Sequence, residues 1–138
     1  MPGLPEGATM IFRRTATSER GSAVVEFVLV IPFLIGLVLG VVELSRVYNV
    51  QISLSNAARE GARTMAIHND PARAKAAASL AAPSVNPALT AGDITVSPAD
   101  CAAGTAVTVT IDYEVDLLTG FFGVTLPLTG KGVMQCGG

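Results

Sequence analysis

One uninterrupted apolar run near the start of the chain constrains the fold more than any other feature. It extends from Ser22 to Val42, reads SAVVEFVLVIPFLIGLVLGVV and contains one charged residue, Glu26. A run of about 21 residues matches the length that a helix needs to cross a hydrocarbon core of about 30 Å, whereas the apolar core of a signal peptide is shorter. We therefore predict a transmembrane helix over residues 22–42. A buried helix of a soluble protein is the alternative.

The flanks of this run predict its orientation. Arg13, Arg14 and Arg20 precede it, and Arg46 follows its other end. Cytoplasmic ends of membrane helices are enriched in Arg and Lys. We therefore expect residues 1–21 to be a cytoplasmic leader, because their Pro, Gly and polar content cannot bury a core. The chain would be a single-pass protein of the cytoplasmic (inner) membrane with a periplasmic or extracellular C-terminal domain.

The two cysteines, Cys101 and Cys136, both lie in the part predicted to be exported. An oxidising compartment lets disulfides persist, so a bridge between them is the simplest expectation. It would close a loop of about 35 residues and stabilise a small domain by roughly 3 to 4 kcal/mol. Two free buried thiols are the alternative.

The helical pattern continues beyond the membrane span. Small and apolar residues recur at helical spacing with polar residues between them: Val47, Val50, Leu54, Ala57, Ala58, Gly61 and Met65. The sequence His68-Asn69-Asp70-Pro71 ends this helix, because the residue before a proline is driven out of the helical region. We predict one helix from Ser22 to Ile67, in which residues 43–67 form an amphipathic extension.

Residues 68–138 are predicted to form a small α+β domain. Asp70 and Pro71 are typical of a helix start, which predicts a short helix to about Ala82. Strict alternation from Val107 onward predicts a half-buried strand with an apolar and an acidic face. Residues 93–97 and 131–136 are further strand candidates, and 120–128 reads as a loop. The expected fold is pilin-like: a long membrane-spanning helix, a short helix and an antiparallel sheet of about three strands that covers the helix extension.

Glu26 is the sharpest local feature of the apolar run. A charge at the bilayer centre costs about 2.5 to 3.5 kcal/mol, and less near an end. If the chain were cut between Gly21 and Ser22, the new α-amino group would lie one helical turn before Glu26 and could neutralise it within one chain or between neighbours. The alternative is a tolerated polar residue near the interface of an ordinary signal anchor.

The same residues carry a resemblance to a known family. A short polar leader that ends in Gly, followed by an apolar helix with Glu five residues later, resembles class-IV prepilins. The run RGSAVVEFVLVIPFLIGLVLGVVELSRVYNVQISLSNAAREGAR is similar to the TadE-like family of tight-adherence pilus-assembly proteins, and NAAREGAR is its most specific part. The resemblance covers residues 20–65, about a third of the chain.

The resemblance implies a processing step and a place in assembly. A membrane-embedded prepilin peptidase would cut after Gly21, which leaves Ser22 as the mature N-terminus and Glu26 as the assembly residue. Phe27 follows Glu26 where the family's major pilins usually have Tyr, which favours a minor pilin, or pseudopilin. The implied partners are other pilins and minor pilins, the prepilin peptidase and the pilus assembly platform, with incorporation into the pilus itself left open. The competing hypothesis is an uncleaved, signal-anchored envelope accessory protein with a partner-binding domain.

The helix extension carries two further patterns. A ridge of small residues permits another element to approach closely: Ala57, Ala58, Gly61 and Ala62. Arg59 and Arg63 lie one turn apart and could share an acidic partner, for example the strand face formed by Asp112, Glu114 and Asp116 in a neighbouring subunit. The alternative is that both faces are solvated.

The remaining residues give weaker expectations. Phe121, Phe122, Val124 and Leu126 either complete the core or form a patch that faces the membrane or a subunit, and we expect core. We expect Glu43 to be solvated and His68 to be exposed at the helix end.

The chemistry of an enzyme is not predicted. The sequence contains no His-Glu-x-x-His, no Gly-x-Ser-x-Gly and one histidine, so we expect no catalysis, cofactor or metal. A net charge of −2 with scattered basic residues lacks the basic excess that nucleic-acid binding needs. We therefore expect a structural protein that is the substrate of an enzyme.

Overall fold

The computed structural model describes Gly3, residues 17–117 and residues 123–137, with residues 17–20 described by their backbone alone. The elements in this part of the chain are α1 (Thr17–His68), α2 (Pro71–Leu80), β1 (Ile94–Ser97), β2 (Ala106–Asp116) and β3 (Thr125–Gln135). The chain divides into two compact units, residues 1–39 and residues 40–138, and the sheet belongs to the second. The predicted α+β architecture is confirmed.

Helix α1 starts earlier than the apolar run predicted. It begins at Thr17 instead of Ser22 and continues through Pro32. Once a helix is nucleated, each added residue gains one hydrogen bond, and no proline interrupts residues 17–22. The bond between Gly21 and Ser22 therefore lies inside a helix.

The chain turns sharply between α1 and α2. Asn69 adopts the left-handed conformation, with φ 47°, and its N–H donates to the carbonyl of Met65 at 2.8 Å. Asp70 is extended, as expected before Pro71, and its carboxylate accepts from the N–H of Ala72 at 2.9 Å. The two residues thus cap the end of one helix and the start of the next.

The sheet has the strand order β1-β2-β3 within the described residues, and both pairings are antiparallel. Strand β3 begins at Thr125, so the prediction of a loop through Leu128 is wrong. The register pairs Glu114 with Pro127. Asp112 of β2 donates its N–H to the carbonyl of Asp93, on the β1 side. Backbone N–H groups alternate between the two sides of a strand, so the N–H of Glu114 also points towards β1 and not towards β3. Its partner Pro127 therefore has its nitrogen at the free edge of the described sheet, where no N–H is needed.

The core of the second unit lies between the C-terminal part of α1, α2 and the sheet. Its larger cluster joins Leu54, Ala57, Ala58 and Ala62 of α1 to Ala78 of α2 and to Val109 and Ile111 of β2. A smaller cluster contains Met65, Ala74, Val107 and Cys136. The sheet therefore covers the amphipathic part of α1, as predicted.

The apolar face of β2 is confirmed, but the expected contribution of the following segment to the core is not. Val107, Val109, Ile111 and Val115 are buried. Val124 and Leu126 are 53% and 39% exposed, so the prediction that they complete the core is wrong. They precede or begin β3, whose buried residues, Gly130 and Gly132, come later in the strand. Phe121 and Phe122, predicted with them, lie outside the described residues.

Candidate functional site

The three residues predicted for processing and assembly lie on α1 in the first unit. Gly21, Ser22 and Glu26 are all helical and exposed. Residues four apart on a helix lie on the same face with their Cβ atoms about 5 to 6 Å apart. An α-amino group on Ser22 would therefore lie one turn from the Glu26 carboxylate.

The apolar run around Glu26 is exposed in the isolated chain. Helix α1 is long and apolar enough, by length and composition, to contain a membrane span within Gly21–His68. Its side chains show a contiguous apolar surface, with Phe33 80% exposed. A surface of this size needs a lipid or protein environment, because soluble proteins rarely expose one.

The ridge of small residues on α1 is covered by other elements of the same chain. Ala57, Ala58 and Ala62 are fully buried, and Gly61 is also buried. A Cβ atom added to Gly61 would lie 3.1 Å from the Cβ of Ala78 and 3.3 Å from Val109 Cγ1. The ridge thus lets α2 and β2 approach the backbone of α1.

Two glycines of β3 complete this contact, and the sequence interpretation missed them. Gly130 and Gly132 face α1, where a Cβ atom would collide with the backbone of Leu54 and of Ala58 respectively. Glycine inside a strand often marks a close backbone approach. Their spacing of two residues, which puts both on one face, was the available signal.

Glu43 and Arg46 form a polar cluster at the start of the second unit. Glu43 is buried, and its Oε1 lies 3.8 Å from Arg46 Nη1. The same guanidinium nitrogen donates to the carbonyl of Asp116 at 2.9 Å. The expectation of a solvated Glu43 is therefore wrong, because Arg46, three residues along the helix, ties this turn to the end of β2. The i,i+3 spacing of opposite charges was the missed signal.

The cysteines form the predicted disulfide. Cys101 and Cys136 are bridged, with their Cα atoms 5.4 Å apart. The N–H of Cys101 donates to Asn69 Oδ1 at 2.6 Å, and Cys136 packs against Met65 and Val107. The bridge therefore joins the end of β3 to the segment between β1 and β2, and the hydrogen bond to Asn69 ties that segment to the turn between the helices.

An acidic groove lies beside Tyr113 in the second unit. Its lining includes Asp93, Asp112, Glu114 and Leu128. The Tyr113 hydroxyl donates to the carbonyl of Pro87 at 2.9 Å. Burial raises the pKa of Tyr113 above its ordinary value of 10.0, Arg46 opposes the rise, and Asp116 and Asp93 add to it.

Two of the three acids of this groove, Asp93 and Asp112, have hydrogen-bond partners in the chain. Asp93 Oδ2 accepts from the N–H and the hydroxyl of Thr90, each at 2.7 Å, and Asp112 Oδ1 accepts from Thr129 Oγ1 at 2.9 Å. Hydrogen bonds of this kind hold the 90–93 turn and the β2–β3 pair in place. These hydrogen bonds are sufficient to explain why the sequence has carboxylates at positions 93 and 112.

The predicted charged faces are solvated in the isolated chain. Arg59 and Arg63 are exposed, as are Asp112, Glu114 and Asp116. His68 is exposed, as expected, and its Nδ1 lies 3.4 Å from Arg73 Nη1. Among the described residues, no group of three or more His, Cys, Asp or Glu side chains is placed to hold a metal ion.

These features define an α+β protein with one N-terminal helix that is apolar enough to span a membrane. Residues 21–63 match the family model of the TadE-like protein. The chain is therefore TadE-like over these residues, which confirms the resemblance, and the match includes Ser22, Glu26 and the ridge of small residues. No curated protein and no solved structure matches the chain.

The family whose model matches residues 21–63 has a role in pilus assembly. TadE-like proteins take part in the assembly of the tight-adherence pilus and are structural proteins. The matched residues cover most of α1 and none of the sheet.

Proposed function

We propose that the chain is a minor pilin, or pseudopilin, of a tight-adherence pilus. A prepilin peptidase removes residues 1–21, and the new N-terminus helps to initiate or anchor pilus assembly. The observation that supports this proposal most directly is that Ser22 and Glu26 lie one turn apart on an exposed apolar helix. This helix matches the TadE-like family over residues 21–63. The partners of this step are other pilins, the peptidase and the assembly platform.

The electrostatics of the first turn support this role. A carboxylate near a helix N-terminus is favoured by the helix dipole, and cleavage adds a positive amine at the same end. An unpaired charge in apolar surroundings is costly. Any alignment of neighbouring helices that separates the amine from the carboxylate leaves two such charges and is therefore disfavoured. Glu26 thereby sets the register in which this helix joins a bundle.

The second unit supports a role as a rigid exported domain. The core joins α1, α2 and the sheet, and the disulfide ties the end of β3 to the segment between β1 and β2. We propose that residues 68–138 lie outside the cytoplasmic membrane with the N-terminus inside. An oxidising compartment is consistent with this bridge.

The assembly role is tested with Glu26→Ala in the native pilus system. We expect pilus assembly to be lost while the protein remains present at wild-type abundance, because the register contact is gone. Val30→Ala is the matched control, since Val30 lies one turn further along the exposed face and carries no charge. An uncleaved anchor predicts instead that both variants assemble pili normally, and that result would refute the proposal.

A further inference from the structure

We propose that the end of the β2–β3 hairpin in the second unit rests on the lipid surface from which α1 emerges. The residues concerned are Val124 and Leu126 at the start of β3, with Leu44 and Tyr48 on α1 at the same depth. All four are exposed apolar or aromatic side chains, and we call them the apolar girdle. The inference rests on the proposed membrane anchorage of α1.

Three contacts fix the height of β3 along α1. Gly132 lies against Ala58, and Gly130 lies against Leu54. Near the other end of the strand, Arg46 donates to the carbonyl of Asp116, which pairs with Thr125. Strand β3 therefore runs beside the part of α1 that belongs to the second unit, and its N-terminal end lies nearest to the turn of Arg46.

The rise of the two elements gives the height of the hairpin end. Two strand residues span about 6.6 Å, and four helix residues span about 6 Å. Each two residues back along β3 therefore correspond to about four residues back along α1. Counting from Gly130 at Leu54 places Leu126 level with Arg46 and Val124 level with Val42, the last residue of the apolar run.

The chemistry at this height suits a lipid headgroup layer. Residues 43–48 would rise about 2 to 9 Å beyond the end of the span, within the interfacial zone that borders the hydrocarbon core. Tyrosine is enriched in this zone. The two charges of this helix turn face each other, with Glu43 buried against Arg46. Asp116 stays exposed, which suits the polar headgroups better than the hydrocarbon.

Continuity with the membrane span selects lipid as the occupant. The girdle begins where the apolar run ends, so a bilayer that surrounds residues 22–42 meets these side chains without any further partner. Transfer of exposed apolar side chains from water to lipid is favourable. The hairpin end would therefore restrain how the second unit stands on the membrane before it enters a pilus.

The chain offers a direct test because it contains no tryptophan. Val124→Trp and Leu126→Trp place single fluorophores in the girdle, and Val133→Trp places one about 30 Å further along β3. Val133 is a matched control, since it is 55% exposed against 53% for Val124. Phe33→Trp reports on insertion of the span itself. Each full-length variant, with its disulfide verified by mass, is placed at one copy per phosphatidylcholine nanodisc.

Quenching by shallow brominated lipids and by aqueous iodide is then compared. We expect tryptophan at 124 and 126 to lose intensity to brominated lipid, to emit at shorter wavelength and to resist iodide. Tryptophan at 133 should show the opposite, and tryptophan at 33 should be quenched by deeply brominated lipid.

The other outcomes separate the two proposals. Quenching at 33 with full iodide access at 124 and 126 overturns the girdle and leaves the anchorage intact. Protection at 124 from both quenchers, in single-copy discs, means that protein covers the hairpin end and also overturns the inference. Loss of lipid quenching at 33 overturns the anchorage and the girdle together.

Discussion

Among the glycines of the described residues, Gly132 lies closest to the backbone of another element, so a methyl group added there should have a large effect on stability. In Gly132→Ala, the new Cβ atom meets the carbonyl carbon and oxygen of Ala58 and the nitrogen of Arg59. All three are helix backbone atoms, so no side-chain rotation relieves the overlap. Strand β3 must move away from α1, which loosens the core around Leu54 and Ala58.

The magnitude follows from two opposing terms. Overpacking of a well-packed core typically costs about 1 to 3 kcal/mol, and contact with rigid backbone favours the upper end. Replacing Gly by Ala stabilises by about 0.4 to 1 kcal/mol through the unfolded chain. We therefore expect a net loss of about 2 kcal/mol. The second unit comprises residues 40–138, and in a domain of that size this loss lowers Tm by roughly 8 to 16 °C.

Thermal unfolding of the full chain in nanodiscs, followed by tyrosine fluorescence, measures this loss. Gly92→Ala is the matched control, because a Cβ atom there lies 3.6 Å from Thr90 Oγ1, an ordinary contact distance. The control should unfold within a few degrees of the wild type. Adding Gly130→Ala to Gly132→Ala should cost less than the sum of the two, because one displacement of β3 relieves both overlaps. If Gly132→Ala unfolds with the control, β3 does not lie against the backbone of α1.

Three other predictions test different parts of the second unit. Replacing both Cys101 and Cys136 by Ser should destabilise it by about 4 kcal/mol in the chain-entropy model for a separation of 35 residues, and reductant should lower the Tm of the wild type alone. Arg46→Ala should cost about 1 to 2 kcal/mol, at the lower end for a charge-assisted bond because Arg46 is partly exposed, and should speed amide exchange in the last residues of β2; unchanged exchange would contradict the role of Arg46. Burial raises the pKa of Tyr113, so in a Tyr48→Phe variant, in which Tyr113 is the one tyrosine left, a pH titration of 295 nm absorbance should show a higher midpoint for the folded chain than for the urea-unfolded chain. Because the unfolded chain loses this proton first, stability should fall as pH rises above about 10; equal midpoints for the folded and the unfolded chain would argue against burial of Tyr113.

The sequence predicted the elements whose pattern is local and periodic. The alternation from Val107 to Val115 specified which face of β2 is buried, and Asp70-Pro71 specified the boundary between the helices. The spacing of Ala57, Ala58, Gly61 and Ala62 indicated a close approach of another element. These patterns depend on neighbouring residues alone, so they can be recognised without the fold.

The wrong expectations concern residues whose environment comes from distant parts of the chain. The position of Glu43 at the outer end of the apolar run predicts a solvated side chain, but Glu43 is buried, and its neighbour Arg46 binds a strand end 70 residues further along. Residues 125–128 belong to the Gly-rich apolar segment 120–128, whose composition predicts a loop. Strand β3 accommodates Pro127 because β3 is an edge strand of the described sheet. Which strand lies at the edge becomes known only with the strand order.

The proposed function adds a chemical step that neither the fold nor the family match tests. Ser22 becomes an N-terminus only if a peptidase cuts a bond that lies within α1. Without the cut, Glu26 has no amine one turn before it and the register mechanism has no positive partner. The proposed function therefore depends on cleavage between Gly21 and Ser22.

The most direct test is the intact mass and N-terminal sequence of the membrane-extracted protein, measured under non-reducing conditions. The chain is expressed with an active class-IV prepilin peptidase, with an inactive peptidase variant and with neither. We expect a new N-terminus at Ser22 that appears only with the active peptidase. The Cys101–Cys136 disulfide should be intact in the same chain. An intact leader, in cells where the same peptidase cleaves a control prepilin, would contradict the account and favour an uncleaved envelope anchor.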